Sequence, residues 1–280
     1  MSTATQAIGH IEESAASRVD ANYAVFPLLS VRNVSKNFGG VTALKQLDIT
    51  IRKGEIMGLI GPNGSGKTTF FNVVSGIYAP TDGSVALEGR DISGLSPQQV
   101  CHAGIARTFQ RSRLCTSLSI FDNIAIGNHK NLHGGLWFNI FSRSRLKKQF
   151  DEQFETAREL LGTFAPHLTG RMFQEVSGIP MIDRRRIEIC RALVSRPKLL
   201  LLDEPSAGMT RDETKQFMDD ILTVRRSMDD TTIIIIEHEM EVIEQVTDWC
   251  AVLNYGEKIC EGTFAEVARN ELVQKAYLGA

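Results

Sequence analysis

At 280 residues the chain is long enough to bury a sizeable core, as one large domain or as a core with a sub-domain. Apolar residues make up 42% and charged residues 23%, as in a soluble globular protein, and a net charge of −2 provides no basic field for nucleic acid. No apolar run approaches the ~20 residues of a membrane helix, and five scattered cysteines without a C-x-x-C pair argue against a disulfide frame or metal site.

Residues 1–27, rich in Ala, Ser and Thr, read as a mobile tail with a helical turn around Ile11–Arg18 and no signal-peptide pattern. Leu28–Val34 and Leu47–Ile51 read as strands, and Lys53-Gly54-Glu55 as a turn into a short apolar strand, Ile56–Ile60. Thr69–Ser75 can continue as a helix, and Val85–Leu87 is a further short strand between two Gly turns. From Leu114 to Leu193 the character changes. Within Arg145–Phe164, Leu146, Phe150, Phe154, Ala157, Leu160, Leu161 and Phe164 recur at helical spacing. Leu199–Leu202 and Ile233–Ile236 then return as solid apolar runs, the pattern of parallel strands covered on both faces. Asp212–Met228 and Met240–Asp248 read as the helices after them. The expected fold is α/β, a core over 28–112 and 192–280 interrupted by a helical sub-domain over 113–191.

Between the strand at Ile56 and the helix at Thr69 lies Gly61-Pro62-Asn63-Gly64-Ser65-Gly66-Lys67-Thr68, a G-x-x-x-x-G-K-[ST] phosphate loop. Its glycines let successive N–H groups turn inward around a phosphate, and the following helix, Thr69 included, adds its positive dipole end. Lys67 can reach the β- and γ-phosphates, and the Thr68 hydroxyl can hold Mg²⁺. The expected ligand is a nucleoside triphosphate.

Leu199–Leu202 runs into Asp203-Glu204-Pro205 at the carboxyl end of a buried strand, where ligands of open α/β sheets bind. Asp203 is placed to hold Mg²⁺, directly or through water, and Glu204 to polarise an attacking water. His238 leaves the Ile233–Ile236 strand and can reach the γ-phosphate if that strand neighbours Asp203. Gln110 ends Arg107-Thr108-Phe109-Gln110, where it can bind Mg²⁺ or the water and report phosphate occupancy to the helical insertion. Alone, a strand-end histidine or a surface glutamine is ordinarily structural. The phosphate loop gives both a second reading.

In order and spacing, the phosphate loop, Gln110, Leu199–Pro205 and His238 resemble the ATP-binding cassette (ABC) ATPases, from about Leu28 to the C-terminus. The resemblance implies a P-loop fold with a RecA-like parallel sheet, an antiparallel β region and a helical sub-domain. It also places Phe38 where the family stacks an aromatic ring on adenine, a contact contributing ~1–3 kcal/mol in related cases. Phe38-Gly39-Gly40-Val41-Thr42-Ala43-Leu44, Gly104–Gln110, Phe121–Ile124 and Ala276-Tyr277-Leu278-Gly279 are most similar to the ATPase subunits of branched-chain amino acid importers. That subgroup implies permease subunits in the membrane, a second ATPase subunit, a periplasmic binding protein and a peripheral place on the cytoplasmic face of the inner membrane. Amide or urea uptake, or lipid export, are alternative transport readings. A soluble ABC ATPase acting on DNA or ribosomes would typically carry two cassettes, long coiled-coil insertions or a basic field, none of which is present.

The pattern breaks at the LSGGQ-like signature. Counting back from Arg186–Leu193 places it on Ile179-Pro180-Met181-Ile182-Asp183, which lacks both glycines and the serine. Pro180 removes an N–H donor, and Ile182 puts a β-branched side chain where the family brings backbone against a phosphate of the opposite subunit. Thr210 stands where many members have Asp. The expectation is a heterodimer whose other chain carries an intact signature; a shifted loop built on Ser177-Gly178 is the competing reading. His129 and His133 are spaced i, i+4 but lack a third ligand, and the basic run Arg143–Lys148 reads first as a solvated helix face.

Overall fold

The computed structural model describes residues 27–110, 112–129, 143–228 and 231–278. The tail, His133 and Trp137–Phe138 lie outside them. Strands β1 (Leu29–Phe38) and β2 (Val41–Ile51) form an antiparallel hairpin whose turn uses Gly39 at φ +55°. Both run longer than their apolar patterns because cross-strand hydrogen bonds carry the polar Ser35–Asn37 and Thr42 stretches. With β4 (Asp82–Leu87) and the short β5 (Arg90–Asp91) they make a four-stranded sheet ordered β2-β1-β4-β5.

The second sheet is ordered β10-β9-β3-β8-β7-β6. Its strands are β3 (Ile56–Ile60), β6 (Ile105–Arg107), β7 (Leu199–Asp203), β8 (Thr232–Ile236), β9 (Trp249–Asn254) and β10 (Glu257–Gly262). All neighbours are parallel except the β9–β10 edge. Because strand side chains alternate, Leu200, Leu202, Ile233 and Ile235 enter one core, and Leu199, Leu201, Ile234 and Ile236 another. Each of these fully buried side chains contributes about 1.5–3 kcal/mol of transfer free energy.

The first core includes the helical region: α3 (Ile120–Ile126), α4 (Arg143–Phe164) and α5 (Met181–Leu193) bring Phe121, Leu161, Ile187 and Leu193 into it. Helices α6 (Arg211–Ser227) and α7 (Met240–Val246) cover the same face. The second core packs α1 (Lys67–Val74), α2 (Pro97–Ala103) and the antiparallel sheet. Helices α8 (Phe264–Arg269) and α9 (Glu271–Leu278) close the chain beside β10. The strand order brings the carboxyl ends of β3, β8, β7 and β6 side by side, so the residues that follow each strand share one edge.

Candidate nucleotide site at the carboxyl edge of the sheet

The phosphate loop leaves β3 at Gly61 and enters α1 at Lys67. Gly61, Gly64 and Gly66 have φ of +145°, +79° and +108°. A Cβ on Gly61 would stand 2.1 Å from the Leu253 carbonyl oxygen, and one on Gly66 would stand 2.8 Å from that of Ala43, so both positions require glycine. Helix α1 starts on Gly66 with no side-chain cap, which leaves its first N–H groups to a ligand. Lys67 is buried and folds back on the loop, its Nζ donating to the carbonyls of Gly61 (2.6 Å) and Pro62 (3.0 Å). Burial pushes its pKa down, while the nearby Glu204 and Asp203 carboxylates pull it up. Asn63–Thr69, Glu204, Lys45, Val41–Ala43 and Tyr255 line a cavity of about 390 Å³ over this loop.

Asp203 ends β7 and is buried; Glu204 follows with φ +46°, its N–H donating to the Ile236 carbonyl of the neighbouring strand. A left-handed non-glycine backbone of this kind costs roughly 1–3 kcal/mol, and it turns the carboxylate out of the strand direction. Gln110 Nε2 donates to Glu204 Oε2 at 2.5 Å, and His238 Nε2 lies 2.8 Å from Glu204 Oε1. Two residues that follow β6 and β8 thus meet the carboxylate of the residue that follows β7. Pairing of β7 with β8 brings His238 within reach, as the sequence reading required.

Phe38, at the end of β1, is 41% exposed and meets Tyr78 edge-on at 5.1 Å, with the Lys36 ammonium 5.1 Å over its ring. It is not among the residues that line the phosphate-loop cavity. Tyr255, on the β9–β10 turn, does line it and was missed in the sequence, although the Tyr255-Gly256 turn was visible there.

Two other residues also went unread. Glu237 is buried, its carboxylate accepting from the N–H groups of Ser206 (2.8 Å) and His238 (3.2 Å). Burial raises its pKa and these bonds oppose the rise. It thereby ties the loop after Glu204 to the one bearing His238; its signal was a carboxylate directly after four isoleucines. Arg107 was quoted only as part of a stretch, yet its guanidinium reaches Asp203 at 2.6 Å.

At the other end of the helical region, α5 begins at Met181 with Pro180 at its N-cap position and no side-chain cap. Val176–Gly178 forms one 3-10 turn ahead of it. Arg184 lies back over this segment, Nε donating to the Ile179 carbonyl and Nη2 to that of Ser177, both at 2.7 Å. Asp183 is buried in the first turn, within 2.9 Å of His167 Nε2 and 3.2 Å of Arg186 Nη1. Arg185, two residues after Asp183, is buried and donates to the carbonyls of Phe109 (3.0 Å) and Gln110 (2.5 Å) while pairing with Glu188 at 2.9 Å. Thr210 caps α6 reciprocally with Glu213.

Residues 44–207 match the family model described as ABC transporter, and residues 257–280 match one described as Branched-chain amino acid ATP-binding cassette transporter. The chain is 36% identical over 253 residues to LivG of Salmonella typhimurium, a high-affinity branched-chain amino acid transport ATP-binding protein, covering 90% of this chain and 98% of that one. It is 32% identical to BraF of Pseudomonas aeruginosa, which carries the same description, with the same coverage. Its fold matches a nucleotide-free ATP-binding cassette from an ABC transporter with a TM-score of 0.77 at 28% identity, over 91% of this chain and 100% of the other. An ABC transporter cassette in its ADP conformation matches with a TM-score of 0.76 at 27% identity, over 91% and 99%. Phosphate loop, carboxylate edge and helical region all fall within these matches, and the chain belongs to the ABC transporter family as an ATP-binding, ATP-hydrolysing subunit.

Proposed function

We propose that this subunit powers import of branched-chain or similar amino acids through separate membrane permease subunits, from a peripheral position on the cytoplasmic face of the inner membrane. The descriptions of LivG and BraF and the match at residues 257–280 support the substrate class. No helix among the described residues is long and apolar enough to cross a membrane, and the reading assigns that path to the permeases. An apolar cavity of about 310 Å³ lined by Ile77, Val100, Phe109 and Ile126, between the core and the helical region, offers a permease element a seat beside Gln110.

One observation carries the chemistry: the Glu204 carboxylate is held between Gln110 and His238 beside a glycine-built phosphate loop. Gly61–Thr69 cradles the phosphates, and Lys67 exchanges its loop carbonyls for phosphate oxygens. Glu204 polarises the attacking water, while His238 fixes the carboxylate and contacts the γ-phosphate. Phe38 stacks on adenine, and its exposed ring at the end of β1 suits that role.

Thr68, Asp203 and Gln110 supply oxygen donors of the hard type that Mg²⁺ prefers. No group of three or more His, Cys, Asp or Glu side chains suited to a metal occurs among the described residues, which fits a metal carried in by the nucleotide rather than caged by protein. Bound there, Mg²⁺ would neutralise charge on the β- and γ-phosphates.

We further propose that the second ATPase subunit is a different chain with an intact signature. Pro180 at the start of α5, which lacks an N–H donor, and the buried Asp183 carboxylate in its first turn both disfavour an incoming phosphate. The loop at Ser177-Gly178 opens no α-helix, and the Ser177 N–H is already bonded to the Thr116 carbonyl at 3.1 Å, which counts against a phosphate there.

Mg·ATP turnover of the purified chain across a concentration series, with Glu204→Gln as control, tests the pairing. Binding without turnover supports the heterodimer. Specific activity that rises with concentration and disappears in the control means two copies suffice. Copurification with a permease and leucine-stimulated ATPase activity support the substrate reading; stimulation by an amide or urea alone overturns it.

A further inference from the structure

Arg107 is the last residue of β6 and lies three residues before Gln110. Its Nη2 donates to Asp203 Oδ2 at 2.6 Å, with the two side chains only 6% and 7% exposed. Its Nη1 donates to Asn72 Oδ1 at 2.8 Å, on α1, and to Ser75 Oγ at 3.0 Å, the C-cap residue of that helix. The guanidinium carbon sits 5.4 Å from the Phe71 ring centroid and 5.0 Å from that of Phe109. Thr68, Asn72 and Ser75 follow one another at i, i+4 and i+7, so one stripe of α1 carries both a proposed metal donor and the anchors of this arginine.

We propose that Arg107 is a positioning residue for the metal side of the site. It fixes two of the three proposed protein donors, Thr68 and Asp203, relative to each other and holds the aspartate by one oxygen, leaving Oδ1 for the ion or its water. This inference rests on the reading that Mg²⁺ lies between those donors. A planar fork is needed because the three acceptors lie on two different elements, and the flanking rings keep the fork in plane. A lysine could neutralise Asp203 but could not join it to α1. With its guanidinium anchored to Asn72 and Ser75, Arg107 keeps its place independently of Asp203, and the carboxylate is oriented against a fixed point. Partners that orient a metal ligand from behind typically set metal affinity by ~10–100-fold.

The test uses the full chain and a fluorescent ATP analogue, titrated first in EDTA and then with Mg²⁺. Three proteins are compared: wild type, Arg107→Lys, and the paired Asn72→Ala/Ser75→Ala variant, which keeps the buried ion pair intact should the lysine variant fail to fold. Affinity in EDTA is expected to stay near wild type, because the phosphate loop is untouched. The Mg²⁺ concentration giving half of the metal-dependent gain is expected to rise ~10–100-fold in Arg107→Lys, and by a smaller factor in the paired variant. Unchanged Mg²⁺ midpoints in both variants overturn the proposal, as does an equal loss of affinity with and without the metal, the mark of a merely structural ion pair. If wild type itself gains nothing from Mg²⁺, the placement of the ion at Thr68 and Asp203 fails first, and this inference with it.

Discussion

Helices α1 and α5 both begin without a side-chain cap, yet only α1 starts on a positive-φ glycine with a lysine at its first position. At the start of α1 the N-cap is Gly66, no side chain answers the first N–H groups, and the basic Lys67 stands among them. At the start of α5 the cap position is Pro180, an acidic residue is buried in the first turn and an arginine covers the loop carbonyls. A third start, at α6, is closed by the reciprocal bonds of Thr210 and Glu213. A helix dipole therefore does not make an anion site by itself. Neither α1 nor α5 has a side-chain cap, so the two differ in what stands beside their first N–H groups: Gly66 and Lys67 at one, Pro180 and the buried Asp183 carboxylate at the other.

The sharpest way to break the contrast is to disable the open end. Glu204→Gln should lower ATP turnover ~10²–10⁴-fold, the usual worth of a positioned base, while ATP binding persists. Turnover near wild type would remove Glu204 from its role. Next in size is the link between the first turns of α5 and the segment carrying Gln110. Arg185→Met leaves Glu188 buried without its cation and frees the carbonyls of Phe109 and Gln110. A loss of ~3–5 kcal/mol in urea unfolding is expected, as for other broken buried pairs; an unchanged midpoint would show that the clamp is not holding α5 to the core.

The closed end can also be reopened. Pro180→Ser/Ile182→Gly/Asp183→Gln should raise turnover of the isolated chain on the order of 10²-fold, about the worth of one preorganised donor. No gain would mean that the wild-type sequence already works in trans or that partner contacts beyond this segment limit the rate. The smallest effect belongs to the third helix. Thr210→Ala should cost ~1 kcal/mol of stability by thermal unfolding, the value of a lost N-cap, with ATP affinity unaltered. A drop in affinity would instead tie this residue to the nucleotide.

Much of this was legible in the residues. Ile56–Ile60 was read with its bounds intact, and Leu199–Leu202 and Ile233–Ile236 each lacked only one residue, because fully buried strands are continuous apolar runs. The hairpin was read too short at both strands, since Ser35–Asn37 and Thr42 belong to β1 and β2 through cross-strand bonds and carry no apolar pattern. Helices α8 and α9 were not assigned: each is short, and each is held by its packing rather than its periodicity. At the proposed nucleotide site, the residues named from the sequence are those in local motifs. Arg107 and Glu237 carry none, because they act through partners 96 and 31 positions away that no local pattern reveals.

By itself the sequence determined the phosphate-loop motif, the acidic strand end and the proline ahead of α5, because each depends on residue type at fixed local spacing: glycine for positive φ, a Lys-Thr pair at the helix start, proline for a missing donor. Only the tertiary structure decided that β6, β7 and β8 lie side by side and point Gln110, Glu204 and His238 at one another. It also decided that Arg107 joins the aspartate to the phosphate-loop helix. Strand order and long-range pairing come from how the apolar faces pack together, and that is a property of the assembled core rather than of any one segment.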